Sequence, residues 1–114
     1  NAAEGCVRET YGALVLLHQG THARDPEVRE AFAAIADDEI AHAMLSRDLD
    51  AWFATQLSCV ARLAVEHRRG EALAATRTAL ATVVDEVDTA IGLPSAEHAT
   101  ALFDRLFAEL AYAA

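Results

Sequence analysis

Asp25-Pro26 divides the first half of the chain into two helices and leaves them one way to pack. An aspartate carboxylate accepts from the free N–H groups that open a helix. Proline in the next position has its φ already helical and no N–H to waste. Glu27 then adds negative charge to the first turn, where the helix dipole favours it. Upstream, Ala2, Cys6, Glu9, Ala13, Leu16 and Leu17 recur at helical spacing, with Gly5, Gly12 and Gly20 alongside. That pattern predicts a helix from about Ala2 to Ala23, small-sided enough for a neighbour to approach closely. Downstream, Val28, Phe32, Ile35 and Phe53 share a face of a second helix, from Pro26 to about Thr55. A turn this short makes the two helices an antiparallel hairpin.

The remaining half also reads as helix. Leu57, Val60, Leu63, Ala64 and His67 lie on one face, but from Leu73 onward the apolar positions are rotated by roughly 160°. Between them Arg68-Arg69-Gly70 places cations before a glycine, a C-terminal signal. The pattern therefore predicts a helix from Gln56 to Arg69, a break, and a helix from Glu71 to Ile91. Gly92-Leu93-Pro94 ends that segment, and Ser95 caps a last helix to about Ala111. Two prolines, five glycines and a 54% hydrophobic composition with 6% aromatics suit helices packed through small side chains. The expected fold class is all-α: an antiparallel bundle of four to five helices forming one domain. Residues 1–55 are the hairpin, and residues 56–114 pack on it.

Nine basic against eighteen acidic residues give a net charge of −9. That argues against nucleic-acid binding, which needs clustered Lys and Arg against phosphate, and against anionic membrane surfaces. Apolar stretches such as Ala13–Leu17 are far short of the roughly 20 residues of a membrane span. Asn1-Ala2-Ala3-Glu4 already looks like the first turn of a helix, so the chain reads as a fragment or processed product. Cys6 and Cys59 are the only cysteines. In an up-down-up arrangement they lie near one end of the bundle. A disulfide there implies an oxidising compartment such as a bacterial envelope or periplasm, two buried thiols a reducing one such as the cytoplasm.

Function-bearing residues concentrate at Asp37-Asp38-Glu39-Ile40-Ala41-His42. Glu39 and His42 are three apart, so they project from the same face as Val28, Phe32 and Ile35. Burying either unpaired costs several kcal/mol, and a shared cation would offset that cost. Glu9 stands 16 residues before Asp25 and Glu39 stands 14 after it. At 1.5 Å per residue the two heights differ by only about 3 Å. The hairpin is thus expected to bring Glu9, Glu39 and His42 together.

A glutamate on one helix, followed about thirty residues later by Glu-x-x-His on the next, resembles a half-site of the ferritin-like di-metal carboxylate proteins. Glu4-Gly5-Cys6-Val7-Arg8-Glu9-Thr10 is similar to the second helix pair of such domains in longer bacterial envelope proteins. The resemblance implies a ferritin-like bundle, di-iron or di-manganese binding by Glu9, Glu39 and His42, and oxidoreductase chemistry such as ferroxidation. It also implies that Asp38 braces the histidine. Ala41 stands where many members have arginine.

The resemblance covers residues 1 to about 55 and supplies half a site. None of Glu66, Glu71, Glu86, Glu97 and Glu109 has a histidine three residues on. First-row ions with hard ligands prefer about six donors, and one chain offers three. Two completions fit: a second copy related by a two-fold axis, or an N-terminal helix pair missing from this chain, which its helix-like start favours. The alternative is a non-catalytic structural or interaction module, with Glu9, Glu39 and His42 satisfied by Arg77 or Arg105, or vestigial. His18, His22 and His98 read as surface residues, and His67 as a core histidine. No Ser-His-Asp arrangement, phosphate loop or Cys-x-x-Cys motif is present.

Overall fold

In a computed structural model that describes residues 2–82 and 84–113, with Ala2, Tyr112 and Ala113 described by backbone alone, every regular element is a helix. The five are α1 (Ala2–His22), α2 (Pro26–Gln56), α3 (Cys59–Ala79), α4 (Glu86–Ala90) and α5 (Ala96–Ala113). The Asp25 carboxylate caps α2 by accepting from the Glu27 and Val28 amides, with Pro26 in the first turn. Ser58 caps α3 through its hydroxyl, and Ser95 does the same for α5 by accepting from the His98 amide.

α1 is the central rod. Ala3, Cys6, Val7, Thr10, Ala13 and Gln19 of it are buried, and it packs along α2 and, over a shorter stretch, against α3. At the α2 contact Gly20 lies so close that a Cβ there would sit 3.1 Å from the Ala33 amide nitrogen. A half-buried Asp50–Arg69 pair at 2.7 Å ties α2 to α3. Phe103 of α5 is buried with its ring 5.4 Å from Tyr11 of α1. The bidentate Arg77–Asp104 pair joins α3 to α5 at the surface.

Two expectations are corrected. The break at Arg68-Arg69-Gly70 does not form, and α3 runs through it to Ala79. Both arginines are engaged along the helix and across it, Arg68 with Glu71 and Arg69 with Glu66 and Asp50. Those contacts hold the helix through a glycine that costs about 1 kcal/mol. The chain instead turns at 80–82 and restarts at Asp85, whose carboxylate forms a reciprocal capping box with Asp88. Val83, expected within the helix from Glu71 to Ile91, lies outside the described residues.

The second correction concerns which face of α2 is buried. Ala36 and Ala43 are its buried residues, one position along from the predicted stripe and so about 100° round the helix. Ile35 and Phe53 of that stripe remain 47% and 44% exposed. A small side chain suits a face that approaches α1 closely, as the backbone of Ala33 does at Gly20. With Leu45, Leu49 and Trp52, also exposed, Ile35 forms a seam at positions 35, 45, 49 and 52. His42 and Asp38 occupy the intervening places of the same repeat.

Candidate metal centre

The hairpin sets the geometry of the acidic group. Glu9 projects from α1 between Gly5 and Gly12, neither of which has a neighbour within 4 Å of where a Cβ would stand. Glu39 and His42 project from α2 opposite. One ligand atom each from Glu9, Glu39 and His42 lies within 4.8 Å of the others, so the three side chains meet as the heights require. Among the described residues this is the one group of three or more His, Cys, Asp or Glu side chains that converges so closely. A cleft of about 350 Å³, lined by Gly5, Arg8, Glu9, Gly12 and Glu39, opens beside it.

The environment is wetter than the apolar pattern suggests. The His42 side chain is 60% exposed and that of Glu39 30%, because the seam that carries them faces outward. The electrostatic demand for a cation is correspondingly smaller than in a dry core. His42 Nδ1 donates to Glu39 Oε1 at 3.3 Å, which leaves Nε2 as its free nitrogen. Asp38 is exposed and has no hydrogen bond to His42 among the described residues; the i, i+3 glutamate has taken the nitrogen Asp38 was expected to brace. Arg77 and Arg105, the cations considered for neutralising the group, are spent on Asp104 and Glu109.

The donor set suits a metal in type. Two carboxylates and one imidazole match iron, manganese or zinc, and the atoms are near enough for a small contraction to close on an ion. Three protein donors satisfy half of a six-coordinate ion, and no further carboxylate joins them among the described residues.

A second group of ionisable side chains escaped the sequence reading. His18, expected at the surface, is half-buried and its Nδ1 donates to the Gly92 carbonyl at 2.8 Å. His22 stacks on it with ring centroids 3.8 Å apart, and His98 of α5 meets it edge-on at 5.1 Å. The signal available in sequence was the i, i+4 spacing of His18 and His22; the approach of His98 depends on the turn at Gly92. His67 is exposed and pairs with Glu71 at 3.5 Å, so it is no core histidine. Cys6 is buried, Cys59 exposed, and both are free thiols, so the disulfide considered for them does not form. Burial pushes the Cys6 thiol pKa up, with the Asp50 charge acting in the same direction.

Compared with known proteins, the chain matches no family model, no curated protein and no solved structure. No described helix is long and apolar enough to cross a membrane.

Proposed function

We propose that this chain is a carboxylate/histidine metal-binding module of ferritin-like type, with Glu9, Glu39 and His42 as one half of a two-metal site. The observation that carries the reading is the convergence of three ligand atoms within 4.8 Å from two different helices. Iron or manganese is the expected ion, because carboxylate-rich donor sets suit these metals. When bound, such an ion pair supplies redox chemistry; the chain's own part is to hold two carboxylates and an imidazole together across a hairpin.

The other half is a helix pair with matching donors, from a second copy or from further sequence. What supports this is the surface around the half-site. The chain exposes 7536 Å², whereas a compact monomer of 12.2 kDa exposes about 6,100 Å². The excess of about 1,400 Å² is on the scale that one partner contributes to an obligate interface. Its radius of gyration is 15.4 Å, against about 13 Å for a compact chain of this length. Ile35, Leu45, Leu49 and Trp52, which flank His42 along α2, belong to that uncovered surface. Open space at Gly5 and Gly12 on either side of Glu9 offers a partner helix a close approach.

The same seam favours a second reading, an interaction module in which the acidic group has no metal role. The two readings separate cleanly. Protein loaded anaerobically with Fe²⁺ or Mn²⁺ and size-selected would carry about one metal per chain in the associated fraction if the site is completed between copies. Loading that needs an added helix pair points to the other completion. Glu39→Ala and His42→Ala abolish loading in either case. Metal content that is negligible under all these conditions, or equal in wild type and both variants, overturns the metal reading. Association that survives Glu39→Ala without metal then supports the interaction module.

A further inference from the structure

We propose that His18, His22 and His98 form a second metal site, independent of Glu9, Glu39 and His42, that takes a borderline divalent cation such as Zn²⁺, Co²⁺ or Ni²⁺ and pins α5 to the end of α1. His22 and His98 both pack against the His18 imidazole, with ring centroids 3.8 and 5.1 Å from it. His18 and His22 are four apart on one helix face, the spacing at which two histidines bind a single zinc. Their Nδ1 atoms are already committed: His18 donates to the Gly92 carbonyl at 2.8 Å and His22 to the His18 carbonyl at 2.9 Å. A carbonyl only accepts, so each Nδ1 carries the proton and each Nε2 presents a lone pair. Backbone carbonyls commonly fix metal-ligating histidines in this way.

His18 Nε2 supplies the independent observation. It is enclosed and has no hydrogen-bond partner, and a buried acceptor left empty costs about 1–3 kcal/mol. A cation would satisfy that lone pair where no protein donor does. Burial lowers the pKa of His18, with His22 and His98 acting in the same direction, so the ring is held in the neutral form that ligates metals. The three nitrogens do not yet converge as the Glu9 group does. The stacked His18 and His22 rings lie nearly parallel. Closing the set therefore takes rotation of His22, which gives up its bond to the His18 carbonyl, and of His98, both of them exposed, about a His18 ring that stays in place. An all-imidazole set selects zinc, cobalt, nickel or copper over magnesium, calcium or manganese, opposite in preference to the carboxylate group.

The test titrates Co²⁺ and then Zn²⁺ into the full chain carrying Glu39→Ala and His42→Ala, so that the carboxylate group is silent. The expected result is one Co²⁺ per chain, read by its visible absorption and displaced by Zn²⁺, with a rise in Tm. His22→Ala and His98→Ala, both at exposed positions, each weaken binding by at least about tenfold and remove the Tm rise, while His67→Ala changes neither. Circular dichroism confirms that the variants keep their helices. No saturable binding, or binding unchanged by His22→Ala and His98→Ala, overturns the proposal. Because the carboxylate group is absent throughout, that failure leaves the reading of Glu9, Glu39 and His42 standing.

Discussion

Replacing Gly92 by alanine tests how the C-terminal half is held to α1. Gly92 has φ +83°, a left-handed conformation that costs an L-residue roughly 1–2 kcal/mol. A Cβ there would stand 2.5 Å from the Ala23 amide nitrogen and 3.0 Å from its Cα. Those atoms are backbone, so relief requires the turn to withdraw from α1. Withdrawal strains three contacts: the bond from His18 Nδ1 to the Gly92 carbonyl, that from Gln19 Nε2 to the Ile91 carbonyl at 3.1 Å, and that from the Arg24 amide to the Ala90 carbonyl at 2.9 Å. With about 1 kcal/mol for each hydrogen bond, even partial loss brings the total to about 3 kcal/mol, a large share of the 5–15 kcal/mol of an ordinary domain. Thermal and urea unfolding monitored by circular dichroism read the effect, and at this chain length it corresponds to a fall in Tm of about 10 °C or more. Gly70→Ala is the control. That residue lies inside α3 with nothing within 4 Å of a Cβ, so alanine there stabilises by about 0.5–1 kcal/mol. A Gly92→Ala protein within about 0.5 kcal/mol of wild type would refute this account of the turn, since surface substitutions alone fall in that range.

Two further outcomes follow from the same geometry. His18 has its pKa lowered below the usual 6.5 by burial, so the unfolded chain binds the extra proton more readily; stability is full above pH 6.5 and is lost as pH falls from there through the folded-state pKa. Urea midpoints measured across pH 5–8 should show this slope, and His18→Gln should flatten it; an unchanged slope in the variant assigns the effect elsewhere. Gly12→Ala should raise the stability of the chain alone by about 0.5–1 kcal/mol, because the space beside it is open. It should also lower Fe²⁺ loading in the associated protein, where a partner helix would have to pass over it; a stabilised variant with unchanged loading places the partner on another face.

How much of this was legible in the sequence depended on whether a signal was local. Asp25-Pro26 and Ser95 act through side chain to backbone bonds a few residues long, so the starts of α2 and α5 could be read directly, whereas the caps at Ser58 and Asp85 lay inside segments read as continuous helix. The height match of Glu9 and Glu39 needed only helix rise and a short turn. The burial of α2 was not legible, because its pattern offered two faces, a stripe of large residues and a line of alanines at Ala36 and Ala43. Hydrophobicity favours the stripe, while close approach over Gly20 favours alanine, and that choice is tertiary. Gly70 misled for the opposite reason: its C-terminal signal is local, but Arg69 reaches Asp50, nineteen positions away. The imidazole cluster was hidden because His98 arrives from α5, placed by a turn whose geometry depends on Gly92.

The outward stripe of α2 also explains why an acidic group can persist at the hairpin without a cation of its own. Were Ile35 and Phe53 packed inward as their pattern suggests, Glu39 and His42 would be desolvated among them and would demand neutralisation by protein. Instead they are part-exposed on a seam whose apolar neighbours lack a partner, so water meets the demand in the chain by itself. Covering that seam removes the water from both kinds of residue at once. The apolar side chains gain from burial, while Glu9 and Glu39 lose solvation that a metal or a positive group must replace. Docking on this face and cation binding at this group are therefore thermodynamically linked: whatever covers the seam must either bring the compensating charge or tighten the hold on a metal, and a metal bound there favours the covered state by the same factor.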